Sequence, residues 1–238
     1  MFIGALCRPR FALAVLLFPA LCAAPSIAQV TRNVAAAPKP ATSAPGVRQK
    51  AEGVLSQFNS REQWQMPVRV MDEIGVRPGM TVADVGAGDG WFTFYLAERV
   101  GPSGRVIAED IDAAALEAVR KRSARERVST VSVLLGGMED PHLPAGAVDV
   151  ALMVNVLSAL GNARSFLGSL SRGLKPDGRL VVIDWDPLKL YPEKAGREME
   201  ALRQQALRQL QDAGFEVLKT LDFLPTQTMW ICQRRGRD

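Results

Sequence analysis

Three alternating glycines and a nearby carboxylate form the part of this chain best suited to ligand chemistry. In the stretch VADVGAGDG, Gly86, Gly88 and Gly90 follow a β-type apolar run that includes Asp84. Glycine adopts positive φ angles without steric cost, so this spacing predicts a tight turn that brings the backbone close to a bound molecule. A carboxylate beside such a turn disfavours a pyrophosphate and favours a cationic ligand.

The spacing of these glycines distinguishes between the classes of nucleotide ligand that a glycine-rich turn of an α/β fold can bind. A dinucleotide fingerprint places its third glycine three residues after the second, and that position is Trp91 here. A phosphate-binding P-loop requires Gly-Lys followed by Ser or Thr, which this turn lacks. A second carboxylate, Asp110, ends the apolar run RVIAED, where it can accept hydrogen bonds from both hydroxyls of a ribose. The combination favours S-adenosylmethionine, which carries a ribose, a sulfonium and an ammonium.

Apolar periodicity on both sides of the turn predicts alternating strands and helices. This order indicates an α/β fold: a Rossmann-like, doubly wound, mostly parallel seven-stranded sheet with helices on both faces and an antiparallel last strand. Ligands of such sheets bind beyond the carboxyl ends of the strands, where the glycine turn lies. The predicted strands are 80–85, 105–110, 130–135, 148–154, 179–184, 215–221 and 227–233, and the predicted helices are 62–74, 91–100, 113–127, 163–174 and 193–213.

Several segments resemble the class I S-adenosylmethionine-dependent methyltransferases. The stretch VRPGMTVADVGAGDG, residues 76–90, resembles their motif I, and Asp110 matches their ribose-binding acid. The segments LPAGAVD (143–149) and LKPDGRL (174–180) resemble the entries to their fourth and fifth strands. The flanking segments REQWQ (61–65) and LDFLPTQ (221–227) are similar to a branch of exported methyltransferases.

The resemblance implies a set of cofactor-binding residues. Asp84 would lie near the methionine ammonium, Asp110 would bind the ribose, and Asn155 would lie beside the methyl donor. Gly137 stands where the family has an aspartate before the adenine contact, so that contact is weakened or moves to the Met138 backbone or Glu139. The complete implied set is Asp84, Gly86, Ala87, Gly88, Asp110, Ile111, Gly137, Met138, Glu139 and Asn155.

On the acceptor side of the site, the sequence differs from that of the exported methyltransferase branch. After Asn155 the branch shows Tyr-His-Glu or His-His, whereas this chain has Val-Leu-Ser-Ala at 156–159, which removes the polar groups nearest the chemistry. The remaining candidates for catalysis are Asn155, Asp184 and Tyr191, none of them assigned as a base. The leading hypothesis is methyl transfer to an unidentified small-molecule acceptor. The alternatives are a catalytically inactive protein that binds S-adenosylmethionine and a nicotinamide-dependent oxidoreductase, which the Trp at position 91 argues against.

Several of these residues also have plain structural interpretations. Asp110 can serve as a helix-entry carboxylate and Asp112 as a helix N-cap. Trp64 and Gln65 either pack the first helix or line the mouth of the cofactor site. Asn155 is equally consistent with a buried, hydrogen-bonded amide.

The composition limits the other functions and partners. The chain has 238 residues, a net charge of +4, one histidine and three cysteines. Two of the cysteines, Cys7 and Cys22, lie in the predicted signal peptide, so the mature chain keeps only His142 and Cys232, too few for a His/Cys metal cage. Without a strong basic surface, nucleic acid is not an expected partner, and no membrane contact is expected beyond the first segment. A small molecule is the expected partner, and the oligomeric state stays open.

The N-terminal region predicts export. Residues 1–28 have a basic start, a short apolar run and small residues before a cleavage site after Ala28, as a signal peptide has. Residues 29–50 form a Pro/Ala-rich flexible linker, 51–234 the methyltransferase domain and 235–238 a tail. The expected location is the periplasm; the alternative is membrane anchoring by residues 11–24. Export creates a tension, because S-adenosylmethionine is made in the cytoplasm.

Overall fold

The computed structural model describes residues 50–51, 53–194 and 196–236. The predicted signal peptide and nearly all of the predicted linker lie outside these residues. Within the described part of the chain, no helix is both long and apolar enough to cross a membrane.

Helices and strands alternate along the described chain. The strands are β1 (Thr81–Val85), β2 (Arg105–Asp110), β3 (Val131–Leu135), β4 (Val148–Val154), β5 (Leu174–Trp185), β6 (Phe215–Leu221) and β7 (Gln227–Arg234). The α-helices from residue 61 onwards are α1 (Arg61–Gln65), α2 (Pro67–Ile74), α3 (Trp91–Val100), α4 (Ala113–Glu126), α5 (Ala163–Gly173), α6 (Pro187–Leu190) and α7 (Arg197–Asp212). Two short 3-10 turns cover Leu157–Ala159 and Pro192–Lys194.

Among the described residues the strands form one seven-stranded sheet in the order β3-β2-β1-β4-β5-β7-β6. The first five strands in the chain pair in parallel, and β7 lies antiparallel between β5 and β6. The predicted fold class is therefore confirmed. The chain reverses direction across the sheet at β1, whose carboxyl end is the topological switch point where ligands of this architecture bind.

Apolar side chains cover both faces of the sheet. On one face α2 and α3 pack on alternate residues of β1, β4, β5 and β7, and on the other face α5 and α7 pack on the intervening residues. The strands β4 and β5 are buried on both sides, which explains their near-continuous apolar sequence. Rigid packing on both faces holds the carboxyl edge of the sheet in place.

The prediction of a single helix over 62–74 is wrong, because the structure has two helices separated at Met66. Helix α1 ends at Gln65 and α2 begins at Pro67, with Met66 between them in the left-handed region at φ 43°. Proline disfavours the α conformation in the residue before it, so the chain turns at Met66. The turn changes the direction of the helical segment, and it leaves Trp64 and Gln65 buried at the end of α1.

Two other predicted boundaries also differ. The fifth strand begins at Leu174 rather than 179, because Leu174 already pairs with Val148 and the residues 175–178 bulge out before pairing resumes at Arg179. The last helix begins at Arg197 rather than 193, because a 3-10 turn occupies the preceding residues.

Candidate functional site

The glycine turn follows β1 at the switch point, and its three glycines have different surroundings. Gly86, Gly88 and Gly90 all have positive φ angles of 70°, 54° and 77°. A Cβ atom added to Gly86 would overlap Cγ2 of Val156, and one added to Gly90 would lie 2.9 Å from Cγ2 of Val119. A Cβ atom added to Gly88 would meet nothing within 4 Å. Gly88 is therefore the glycine of this turn whose α-carbon faces open space.

Asp110 joins the end of β2 to this turn. Its carboxylate accepts hydrogen bonds from the backbone N–H of Gly88 at 2.8 Å and from the N–H of Asp112 at 2.9 Å. Each carboxylate oxygen has a second acceptor position. Asp112 instead caps α4 by accepting from the N–H groups of Ala114 and Ala115, which confirms its predicted capping role.

Asp84 lies buried in β1, immediately before the turn. The Thr93 hydroxyl donates to its Oδ2 at 2.6 Å. Burial raises the pKa of Asp84 to about 7, and the Thr93 hydrogen bond opposes part of that increase. The positive charge of Arg61 also lowers the pKa of Asp84, but its guanidinium forms a salt bridge with Asp89 at 3.2 Å and lies 4.8 Å from the centre of the Trp91 ring. A buried carboxylate so close to the turn is suited to a positively charged ligand group.

A third carboxylate, Glu109, was not among the predicted site residues. It is 1% exposed, its Oε2 accepts from the Gly86 N–H at 3.2 Å, and its Oε1 has no hydrogen-bond partner within the described chain. A Cβ atom on Gly136 would overlap this carboxylate, so the glycine after β3 makes room for it. Burial raises the pKa of Glu109 to about 8. The sequence feature that could have identified Glu109 is a charged residue within an otherwise apolar, buried strand.

The predicted adenine side lies where β2 and β3 end. The Gly137 N–H donates to the carbonyl of Asp140 at 2.7 Å, which closes a short loop. Ile111 and Met138 are both more than half exposed, and Glu139 is exposed beside them. Exposed apolar side chains at the edge of a polar turn are suited to covering a flat heterocycle.

Asn155 lies directly after β4, in the left-handed region at φ 59°. Its N–H donates to the Ile183 carbonyl at 2.8 Å, and its Oδ1 accepts from Nε2 of Gln227 at 2.7 Å. Asparagine tolerates this backbone conformation better than most residues. The structure therefore fixes the Asn155 amide toward the start of β7, and Gln227 is a second residue that the prediction did not include.

Asp184 and Tyr191 lie on opposite sides of the end of β5. Asp184 is buried and accepts from the N–H and hydroxyl of Ser158 and from the Trp185 N–H. Tyr191 packs beside Trp64 and Trp185, with the Lys50 ammonium 5.5 Å from its ring centre. Asp184 thus holds the 3-10 turn that follows Asn155, whereas Tyr191 contributes to an aromatic cluster. Their catalytic roles stay predictions.

The glycine turn, Asp84, Asp110 and Asn155 therefore lie together along the carboxyl edge of the sheet, and Ile111 and residues 137–139 extend the site beyond β2 and β3. No group of three or more His, Cys, Asp or Glu side chains among the described residues is arranged to hold a metal ion.

The buried carboxylates predict a pH dependence of stability. The pKa of Glu109 is raised on folding, from 4.5 to about 8, so the folded state binds a proton that the unfolded state releases between these pH values. The unfolding free energy of the ligand-free protein is expected to fall as pH rises from 5 to 8, by on the order of 2 kcal/mol for this group. Denaturant unfolding at a series of pH values measures it.

The matched control for this prediction is a second glutamate at the same edge. Glu109→Gln, which mimics the protonated acid, should reduce the slope to the part that Asp84 contributes, whereas Glu139→Gln changes an exposed side chain and should leave the slope unchanged. A wild-type stability that rises with pH across this range would contradict the assignment.

Comparison with known proteins gives a consistent result. The profile of a family described as a methyltransferase domain matches residues 77–228. The chain is 38% identical over 145 residues to a nocamycin O-methyltransferase of Saccharothrix syringae, covering 58% of this chain and 52% of that protein. It is 34% identical over 121 residues to a ubiquinone/menaquinone biosynthesis C-methyltransferase of Burkholderia orbicola, covering 49% of each. The chain thus spans about half the length of these relatives.

A solved structure matches over a larger share. The crystal structure of an S-adenosylmethionine-dependent methyltransferase from Aquifex aeolicus is 26% identical, covers 77% of this chain and 97% of its own, and superposes with a TM-score of 0.65. The match to the family profile, residues 77–228, includes the glycine turn, Asp110 and Asn155.

Proposed function

Because the chain belongs to the class I S-adenosylmethionine-dependent methyltransferase family, we propose that it transfers a methyl group from this cofactor to a small-molecule acceptor. When bound, S-adenosylmethionine supplies an electrophilic methyl group on a sulfonium. The leaving group is already good, so the protein contributes mainly proximity and orientation, which are worth roughly 7–11 kcal/mol of barrier.

The observation that carries this proposal is the open space at Gly88 between two carboxylates. Asp110 is fixed by the Gly88 and Asp112 N–H groups and keeps acceptor positions for two ribose hydroxyls. Asp84 supplies a buried carboxyl group, which the positive charge of the methionine ammonium would favour in its ionised form. The residues present therefore fit the cofactor at its two most polar groups.

A small acceptor agrees with the chain and its relatives. The relative from Saccharothrix syringae is named for O-methylation of nocamycin, and the one from Burkholderia orbicola for C-methylation in quinone biosynthesis. The described sheet is enclosed by its own helices, and the sequence has no strong excess of basic charge that would favour a nucleic acid.

One observation favours a second candidate, a protein that binds the cofactor without turnover. Val156 packs directly against Gly86, and the turn after Asn155 contains Leu157, Ser158 and Ala159 rather than residues able to take a proton. Methyl transfer to a nucleophile that must lose a proton needs such a group. Transfer to a nucleophile that is already deprotonated needs none.

The test combines binding and turnover. The full chain is titrated calorimetrically with S-adenosylmethionine, S-adenosylhomocysteine and NAD, and release of S-adenosylhomocysteine is then followed with a panel of small acceptors. Saturable adenosyl binding with turnover supports the enzyme, and binding without turnover across the panel supports the second candidate. A folded protein that binds only NAD, or no nucleotide at all, would overturn both.

Export remains part of the proposal and rests on the sequence of residues 1–28 alone. We infer a periplasmic protein that receives S-adenosylmethionine from elsewhere. Fractionation of cells that produce the C-terminally tagged chain tests this: a shortened chain in the periplasm supports export, and a full-length chain in the membrane fraction supports anchoring by residues 11–24.

A further inference from the structure

A row of polar side chains crosses four neighbouring strands at the edge of the sheet that carries the glycine turn. Asp84 in β1, Asn155 after β4, Trp185 at the end of β5 and Gln227 at the start of β7 follow the strand order of the sheet. The start of β7 lies at this edge because β7 runs antiparallel to β5, and Gln227 pairs in register with Trp185. The row therefore continues from the cofactor side toward the last strands.

The far end of this row holds buried polar atoms without partners. Within the described residues, no hydrogen bond reaches Nε1 of Trp185, Oε1 of Gln227, Oγ1 of Thr226 or Nε2 of Gln65. All four side chains are nearly or fully buried. An unpaired buried donor or acceptor costs about 1–3 kcal/mol, so folded proteins rarely keep several of them together. Four in one region indicate groups that a ligand satisfies.

Contacts among these residues show that they form one cluster. Trp64 stacks on Trp185 with ring centres 5.6 Å apart, and Gln65 directly follows Trp64 at the end of α1. Gln227 donates to Asn155 at 2.7 Å, and the carbonyl of Thr226 accepts from the Asp186 N–H at 3.1 Å. The cluster is joined to the glycine turn by Arg61, which donates to Gln65 and to Asp89.

The charged side chains that flank Trp185 in the chain have partners among the described residues. Asp184 is held by Ser158, and Asp186 accepts from the Leu188 N–H and the Thr228 hydroxyl. The Lys189 ammonium donates to the backbone carbonyls of residues 222, 224 and 227. A charged ligand group would enter this region without a free counter-charge, at a high desolvation cost.

The chemistry of the unpaired atoms selects the ligand group. They include N–H donors, on Trp185 and Gln65, and an amide oxygen acceptor on Gln227. A hydroxyl both donates and accepts, whereas a carboxylate only accepts and an ammonium only donates. The stacked indoles of Trp64 and Trp185 favour a flat apolar body.

We propose that this cluster, Gln65, Trp185, Thr226 and Gln227, is the acceptor-binding site, and that the acceptor is a neutral, planar molecule bearing a hydroxyl group. The inference rests on the proposed function, since it takes the methyl donor to lie between Asp84 and Asp110. Asn155 positions the Gln227 amide, so that its oxygen stays available to the hydroxyl of the acceptor.

The test compares three rings of similar size and different charge. The full chain, saturated with S-adenosylhomocysteine, is titrated calorimetrically with p-cresol, benzoate and benzylammonium. We expect p-cresol to bind at least tenfold more tightly than either ion. Equal or tighter binding of an ion, or no saturable binding of p-cresol to the loaded protein, would overturn the inference.

Substitutions within the cluster test whether p-cresol binds there. Gln227→Leu and Trp185→Phe should each weaken p-cresol binding about tenfold and leave the affinity for S-adenosylhomocysteine within about twofold. Trp230→Phe, in the core on the other face of the sheet, is the matched control and should change neither affinity. If Gln227→Leu does not fold, Gln65→Met provides the same test at α1. Unchanged p-cresol binding in the folded variants refutes the assignment, whereas failure of the wild type to bind S-adenosylhomocysteine refutes the proposed function instead.

Discussion

Asp110→Ala is expected to lower the affinity for S-adenosylmethionine at least 100-fold, while Asp112→Ala leaves it within about threefold. The two aspartates are close in the chain but act on different partners. Asp110 accepts from the Gly88 N–H and faces the proposed ribose position, so its removal costs two charge-assisted hydrogen bonds to the ligand at about 1.5–3 kcal/mol each. The Asp112 carboxylate instead accepts from the N–H groups of Ala114 and Ala115, in the first turn of α4.

The two variants should also differ in stability, which makes the comparison sharper. Loss of the Asp112 cap is expected to cost about 1 kcal/mol of unfolding free energy. Calorimetric titration and denaturant unfolding of both proteins measure the two effects separately. Equal losses of affinity in the two variants would show that Asp110 acts through the local fold rather than through the ligand.

The second large effect is expected at Gly86. Gly86→Ala places a methyl group against Val156, whose β-branched side chain has little rotamer freedom. It also puts a residue with a side chain at φ 70°, in the left-handed region that favours glycine. Overpacking and the positive φ together should reduce the unfolding free energy by about 2–4 kcal/mol. Thermal or denaturant unfolding measures this loss.

Gly88→Ala is the matched control within the same turn. It has a similar φ angle of 54° but meets nothing within 4 Å, so only the backbone strain of about 1–2 kcal/mol remains. Its methyl group would instead occupy the space left for the cofactor, so its main effect should be on affinity. Adding Val156→Ala should rescue much of the loss in Gly86→Ala. A double variant as unstable as the single one would refute the steric explanation.

Much of the fold could be predicted from the sequence because its signals are local. The helix over 91–100 and the strands over 105–110, 148–154 and 215–221 have the predicted bounds, and Asp112 caps α4 as expected. Each begins or ends at a Gly, Pro or capping residue, or has a clear apolar period. The break at Met66 also has a local signal in Pro67, which the helical pattern of the neighbouring residues obscured.

The acceptor side could not be predicted in the same way, because its residues come together through the order of strands in space. The sequence predicts an antiparallel last strand, but nothing near Gln227 in the chain indicates that this strand lies between β5 and β6 and so brings Gln227 to Asn155. Glu109 shows the same limit on the cofactor side: its role depends on Gly136, a residue from the next strand loop, whose missing side chain leaves room for the carboxylate.

The position of β7 also implies that the cofactor side and the acceptor side of the site form at different stages of folding. The glycine turn and Asp110 lie in neighbouring strands joined by one helix, a contact that closes a short loop. Gln227 lies 72 residues after Asn155, and β7 must pair with β5 before that contact forms. Loop closure over long separations is the slow part of assembling a sheet. In a refolding experiment, protection of the β1 and β2 amides should therefore precede protection of the β7 amides, and the adenosyl site would form on a chain that cannot yet hold its acceptor.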